Sequence, residues 1–206
     1  MTPAARIAAA IQILDGVLAG APAEKLLTTW GRQNRFAGSG DRAAIRDYVF
    51  DALRCRRSFA ALGGGESGRG LMLGALRDAG RVPEAVFTGQ GHAPAPLTPE
   101  ERALSITRAE LPEAVALDCP DWLVAPLRES LGADFAAVME ALRHRAPVFL
   151  RVNLRLGSVE NAEKCLADEG IETARGPLSP TALRVLGHPR RVQQSDAFRQ
   201  GLVEVQ

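Results

Sequence analysis

Apolar residues recur at helical spacing through the first two-thirds of the chain and then begin to alternate. Ile7, Ala10, Ile11, Leu14, Val17 and Leu18 share one face of a first helix. Thr2 stands at its cap, Pro3 at its first position, and Gly20 ends it. A second helix is expected over 22–34, with Leu26, Leu27 and Trp30 inward. After the loop Gly38-Ser39-Gly40-Asp41, where Ser39 or Asp41 can cap, the pattern predicts the longest helix, over 41–62. Its stripe is Ile45, Tyr48, Val49, Ala52, Leu53, Phe59 and Ala60, and Gly63-Gly64-Gly65 stops it as a flexible turn. Further helices fit 67–79 and 83–88. The stretch 89–96 reads as a loop or short linker, and Thr98-Pro99-Glu100-Glu101 is a capping box that opens another helix. Pro120-Asp121-Trp122-Leu123 starts a helix, and 133–144 fits one more.

Past Pro147 the period becomes two. Val148, Leu150, Val152 and Leu154 alternate with Phe149, Arg151, Asn153 and Arg155, which predicts a strand with Arg151, Asn153 and Arg155 on one polar face. A helix capped by Ser158 runs to about Glu169 and ends at Gly170. Short strands follow at 171–174 and 182–186, then a helical turn at 195–199 and a last strand at 202–205. The order β-α-β-β-α-β is that of a ferredoxin-like, split βαβ module. The division expected is a helical domain over 1–130, a connecting helix over 131–145 and a small α/β module over 146–206.

Charge sharpens this division. Lys and Arg outnumber Asp and Glu nine to five over 1–57, balance them three to three over 58–97, fall to three against nine over 98–142, and recover to ten against seven over 143–206. The net charge of +1 therefore hides two basic ends and an acidic middle. Nearly every basic residue is Arg, the better bidentate phosphate ligand. Along an unbroken helix, Arg42, Arg46 and Arg57 lie within about 60° of one another, with Arg32 and Arg35 in the turn before it. A second cluster gathers Arg143, Arg145, Arg151 and Arg155 with Arg190 and Arg191. Such faces neutralise phosphates without reading sequence; a solvated face, with Asp47 and Asp51 pairing locally, explains the first equally well.

Other chemistry is thin. Cys55, Cys119 and Cys165 are widely spaced and read as reduced packing thiols, and His92, His144 and His188 lack metal-ligand spacing. The glycine-rich run 63–70 follows a helix rather than a strand, so it is no phosphate-binding loop. No run of about 18 apolar residues could span a membrane, and no signal peptide is evident, which points to the cytoplasm.

The helix start Pro120-Asp121-Trp122-Leu123, the strand Leu150-Arg151-Val152-Asn153, and Phe198, Gly201, Val203, Val205 and Gln206 in that order resemble the region ahead of the catalytic domain in Sun/Fmu-type RNA cytosine-5 methyltransferases. Ala4-Ala5-Arg6 through Asp41-Arg42-Ala43 to Leu62 resembles the NusB-like helical domain of bacterial members. The resemblance implies an all-helical NusB-like domain followed by a ferredoxin-like module, with the class I methyltransferase domain absent from this chain. It implies RNA, rRNA above all, as one partner and the protein's own catalytic domain as another. S-adenosylmethionine is expected for the full-length parent, with no cofactor, metal or catalytic residue in these 206 positions. Cys119-Pro120 inverts the family's Pro-Cys order and is not expected to be the nucleophile. The expected RNA contacts are Arg32, Arg35, Arg42, Arg46, Arg57, Arg151, Asn153 and Arg155. Two other readings stay open: a free-standing, antitermination-like RNA-binding module, and a protein adaptor whose acidic segment 98–142 docks a basic partner.

Overall fold

The computed structural model describes residues 1–206, which divide into two compact units, Met1–Arg145 and Ala146–Gln206. No helix is long and apolar enough to cross a membrane.

The first unit is helical throughout. α1 (Pro3–Leu18), α2 (Ala23–Gln33), α3 (Ser39–Arg54), α4 (Arg56–Gly63) and α5 (Gly68–Asp78) enclose a core of Ile7, Leu14, Ile45, Val49, Leu71 and Met72. The Thr2 hydroxyl caps α1 and the Ser67 hydroxyl caps α5, as their residue types dictate. At α3 the cap is Gly38, and Asp41 reaches back to accept its backbone N–H at 3.2 Å. The single helix expected over 41–62 is two. The chain turns at Cys55 (φ −105°, ψ 33°), and the new N-terminus of α4 is capped from far away: Asp118 accepts from Ser58 N–H at 2.8 Å.

The glycines after α4 do more than form a flexible turn. Gly64 adopts the left-handed conformation that ends the helix, whereas Gly63 and Gly74 let α4 and α5 touch backbone to backbone. A Cβ on Gly63 would lie 1.7 Å from the Gly70 carbonyl oxygen, and one on Gly74 would lie 1.9 Å from that of Phe59. The expected linker 89–96 is likewise pinned. Arg69 donates to the carbonyls of Ala95 and Pro96 at 3.0 Å each and pairs with Glu101 at 2.7 Å.

Beyond it lie α6 (Pro99–Ala103), opened by the Thr98–Glu101 capping box, and α7 (Glu113–Ala116). α8 (Asp121–Leu131) and α9 (Phe135–Leu142) pack Phe135 and Met139 against Leu117 and Cys119. At their junction with the bundle sits a buried ion-pair network. The Arg143 side chain is 4% exposed, and so is that of its partner Asp118, 2.8 Å away. Arg143 also reaches Asp78 at 3.3 Å, Glu140 at 3.3 Å and the Ser58 hydroxyl at 3.2 Å. Burial opposes the charge on Arg143, but the hydrogen bond to Asp118 and the surrounding carboxylates outweigh it and raise its pKa.

The second unit runs β1 (Phe149–Val152), α10 (Val159–Asp168), β2 (Thr173–Arg175), β3 (Ala182–Val185), α11 (Asp196–Arg199), β4 (Val203–Val205). The sheet is antiparallel in the order β2-β3-β1-β4, with Leu150 opposite Leu183 and Val152 opposite Val203. This is the ferredoxin-like arrangement expected from the element order. Leu150, Val152, Leu183 and Val203 pack on Ala162 and Leu166 of α10. β1 is shorter than the alternation suggests. Asn153 turns the chain by accepting from Arg155 N–H at 3.2 Å through its side chain, and Leu154, expected to pack on α10, is 62% exposed.

Two outcomes follow from this packing. Gly74→Ala should destabilise the protein by about 1–3 kcal/mol or more, because the added methyl meets the Phe59 backbone. Helix propensity alone would favour Ala by about 1 kcal/mol, so urea denaturation decides between the two signs. Arg143→Met should cost about 3–5 kcal/mol, since it leaves Asp118 buried without its counter-charge. Pairing it with Asp118→Asn should recover part of that loss, as a double-mutant cycle by thermal denaturation will show.

Candidate nucleic-acid interface

The eight residues expected to contact RNA fall into two groups once their neighbours are known. Arg46 on α3 pairs with Glu24 of α2 at 2.6 Å and lies over the Phe50 ring at 5.7 Å. Arg57 does not share the face of Arg42 and Arg46. The break at Cys55 places it on α4, where it donates to the Cys119 carbonyl and pairs with Asp121 at 2.8 Å, holding the start of α8. Arg151 pairs across the sheet with Glu204 at 2.5 Å, so the polar face of β1 does have an acid beside it. Asn153 and Arg155 leave that face because the strand ends at Val152. Arg155 is exposed without a carboxylate partner, and Asn153 donates to the Gly201 carbonyl at 3.4 Å.

Arg32, Arg35 and Arg42 remain. All three are exposed and none makes an ion pair. They gather around the C-terminal end of α2: the Arg42 side chain lies across Gly31, its Cδ 3.6 Å from where a Cβ would stand, and Arg35 follows in the turn to α3. Two acids of the same helices, α2 and α3, are engaged elsewhere. Glu24 is held by Arg46. Asp41 accepts from Arg6 at 2.8 Å and from the N-terminal ammonium at 3.2 Å, and these contacts, Arg6 first, hold its carboxyl below the ordinary range. The cluster thus keeps its charge uncompensated, which suits a polyanion.

The second basic cluster read from the sequence has two of its members, Arg143 and Arg145, engaged with carboxylates of the first unit. Arg143 is buried in the network above, and Arg145 pairs with Asp47 at 3.5 Å. In the second unit the open face of the sheet carries Phe149, Arg151, Ala182 and Arg184, with Arg184 directly opposite Phe149. Arg184 and the exposed Phe36 escaped the sequence reading. Arg184 stands alone in its strand, and nothing in the pattern around Phe36 distinguishes it from a core residue.

Neither thiol of the first unit is placed for nucleophilic chemistry. Cys119 is fully buried, and burial pushes the Cys55 thiol up to about 11. The glycines of the run 63–70 serve close backbone packing, with a Cβ on Gly70 falling 2.1 Å from the Gly65 carbonyl oxygen. The sheet of the second unit is wholly antiparallel, and the loop from β1 to α10 carries a single glycine, Gly157, rather than the glycine-rich turn of a dinucleotide site.

Comparison with known proteins agrees with this architecture. Residues 119–193 match the family described as Methyltr_RsmF/B-like, ferredoxin-like domain. The chain is 41% identical over 87 residues to ribosomal RNA small subunit methyltransferase B of Pasteurella multocida (strain Pm70), a stretch covering 42% of this chain and 19% of that protein. It is 34% identical over 87 residues to the protein of the same name from Citrobacter koseri, covering 42% of this chain and 20% of the relative. The aligned stretch thus spans about a fifth of these relatives. In fold, the crystal structure of a protein named PH0851 superposes over 100% of this chain and 53% of its own, with a TM-score of 0.60 at 16% identity. Residues 119–193 therefore belong to the RsmF/B-like methyltransferase ferredoxin-like domain family, which bears out the resemblance to Sun/Fmu-type RNA methyltransferases carried by the sequence.

Proposed function

We propose that this chain is the RNA-holding portion of an S-adenosylmethionine-dependent rRNA cytosine-5 methyltransferase. It positions structured RNA for a catalytic domain of the same protein, which supplies the cofactor site and the attacking cysteine. The observation that carries this reading is the family match over 119–193, together with two relatives named for ribosomal RNA methylation. The uncompensated cations Arg32, Arg35 and Arg42, with Arg155 and Arg184 in the second unit, are the groups that would meet phosphates. Arg46, Arg57 and Arg151 serve the fold first, through their ion pairs.

Binding of this kind is electrostatic and has a measurable signature. The affinity of the 206-residue chain for a structured rRNA fragment should fall steeply as salt rises. Each phosphate contact contributes a slope of about 0.7 to 0.9 in log K against log salt. Absence of binding at low salt, or an affinity indifferent to salt, would overturn the proposal. Calorimetric titration of the same chain with S-adenosylmethionine should be silent, because the glycine-rich run 63–70 follows a helix rather than the strand of a cofactor-binding turn. A saturable heat would place cofactor binding in this chain.

A further inference from the structure

One exposed aromatic side chain follows the end of α2, on the same short stretch of chain as the unpaired Arg32 and Arg35. Phe36 is 74% exposed. A single apolar residue on a surface ordinarily means nothing, but this one sits on a hydrogen-bonded turn next to Arg35 in the chain. The turn that presents it is fixed on both sides. The Asn34 side chain donates to the Trp30 carbonyl at 2.9 Å, the Asn34 backbone N–H donates to the same oxygen at 2.9 Å, and Ala37 N–H closes the turn on the Asn34 carbonyl at 3.0 Å. Ala37 is buried at 1% and Trp30 at 8%, so both flanks of the turn are anchored in the core while the Phe36 ring faces solvent. Arg35 precedes it, Arg32 lies on the last turn of α2, and Arg42 crosses Gly31 beside them.

An exposed aromatic ring on a turn that also carries arginines without carboxylate partners suits an unpaired nucleotide. The ring offers a stacking surface to any base, and the cations take the phosphates on either side. Base-paired RNA cannot use the ring, because its bases are already stacked within the helix. We infer that the turn 34–37 is a landing site for single-stranded RNA, with one unstacked base on Phe36 and the adjoining backbone held by Arg32, Arg35 and Arg42. The inference rests on the RNA-holding function proposed above and adds to it a preference for unpaired over paired segments.

The test uses the whole 206-residue chain with two probes, oligouridylate and a blunt RNA duplex, each titrated at several salt concentrations. Phe36→Ala should weaken oligouridylate binding about tenfold, the loss expected for one stacked base. The salt slope and the duplex affinity should not change. Phe36→Trp should restore or strengthen oligouridylate binding. Replacing Arg32, Arg35 and Arg42 together by Ala should lower the single-strand salt slope by about two. Because Phe36 is exposed, the thermal midpoint of each Phe36 variant should match that of the parent, and this confirms that binding rather than folding is read. If Phe36→Ala leaves oligouridylate affinity unchanged, or weakens both probes equally, the stacking site is overturned while the RNA-holding function stands. If the parent chain binds neither these probes nor an rRNA fragment at low salt, the function beneath it fails as well. A Phe36 that instead proves essential only for binding a protein would also overturn the inference.

Discussion

The first unit is organised around one desolvated cation. Arg143 presents a rigid fork of donors to Asp118, Asp78, Glu140 and the Ser58 hydroxyl, groups drawn from four separated segments. A lysine could supply the charge but not these directions at once. The carboxylate of Asp118 in turn divides its acceptors between Arg143 and the first turn of α4, where it receives both the Ser58 backbone N–H and the Ser58 hydroxyl. Asp118 does this from a left-handed backbone (φ 53°), a conformation that Asp tolerates better than most residues. The segment 118–121 is therefore both the cap of one helix and the doorway to another. Arg57, donating to the Cys119 carbonyl and pairing with Asp121, closes the same joint from the other side.

That joint explains where sequence reasoning succeeded and where it could not. Several helix starts were legible: the hydroxyls of Thr2, Thr98 and Ser158 cap where their spacing placed them, whereas at α3 the cap falls on Gly38 and not on Ser39 or Asp41. So was the ferredoxin-like order, because strand and helix periods differ. The break at Cys55 was not legible, since the group that caps α4 lies 60 residues away in the chain. Missing that break carried Arg57 onto a face it does not occupy. Similarly, alternation runs on through Leu154 in the sequence, but the Asn153 side chain bonds its own backbone and ends the strand first. Gly63 reads as part of a flexible turn, whereas it and Gly74 together leave no side chain between two helices.

Clusters of like charge in a sequence say little about which charges remain available. The run containing Arg143, Arg145, Arg151 and Arg155 looked like one basic stretch. Its members meet different ends: one is buried, one pairs with Asp47, one pairs with Glu204, and only Arg155 stays unpaired. At the end of α2 the opposite holds. Three arginines stay unpaired, and the acids of the same two helices are committed to other partners, Glu24 to Arg46 and Asp41 to Arg6 and the N-terminus. An ion pair at the surface contributes little to stability. Here its larger consequence is to withdraw a carboxylate from its neighbours. Local neutralisation, more than composition, thus selects the part of this nearly neutral chain that a phosphate backbone can approach.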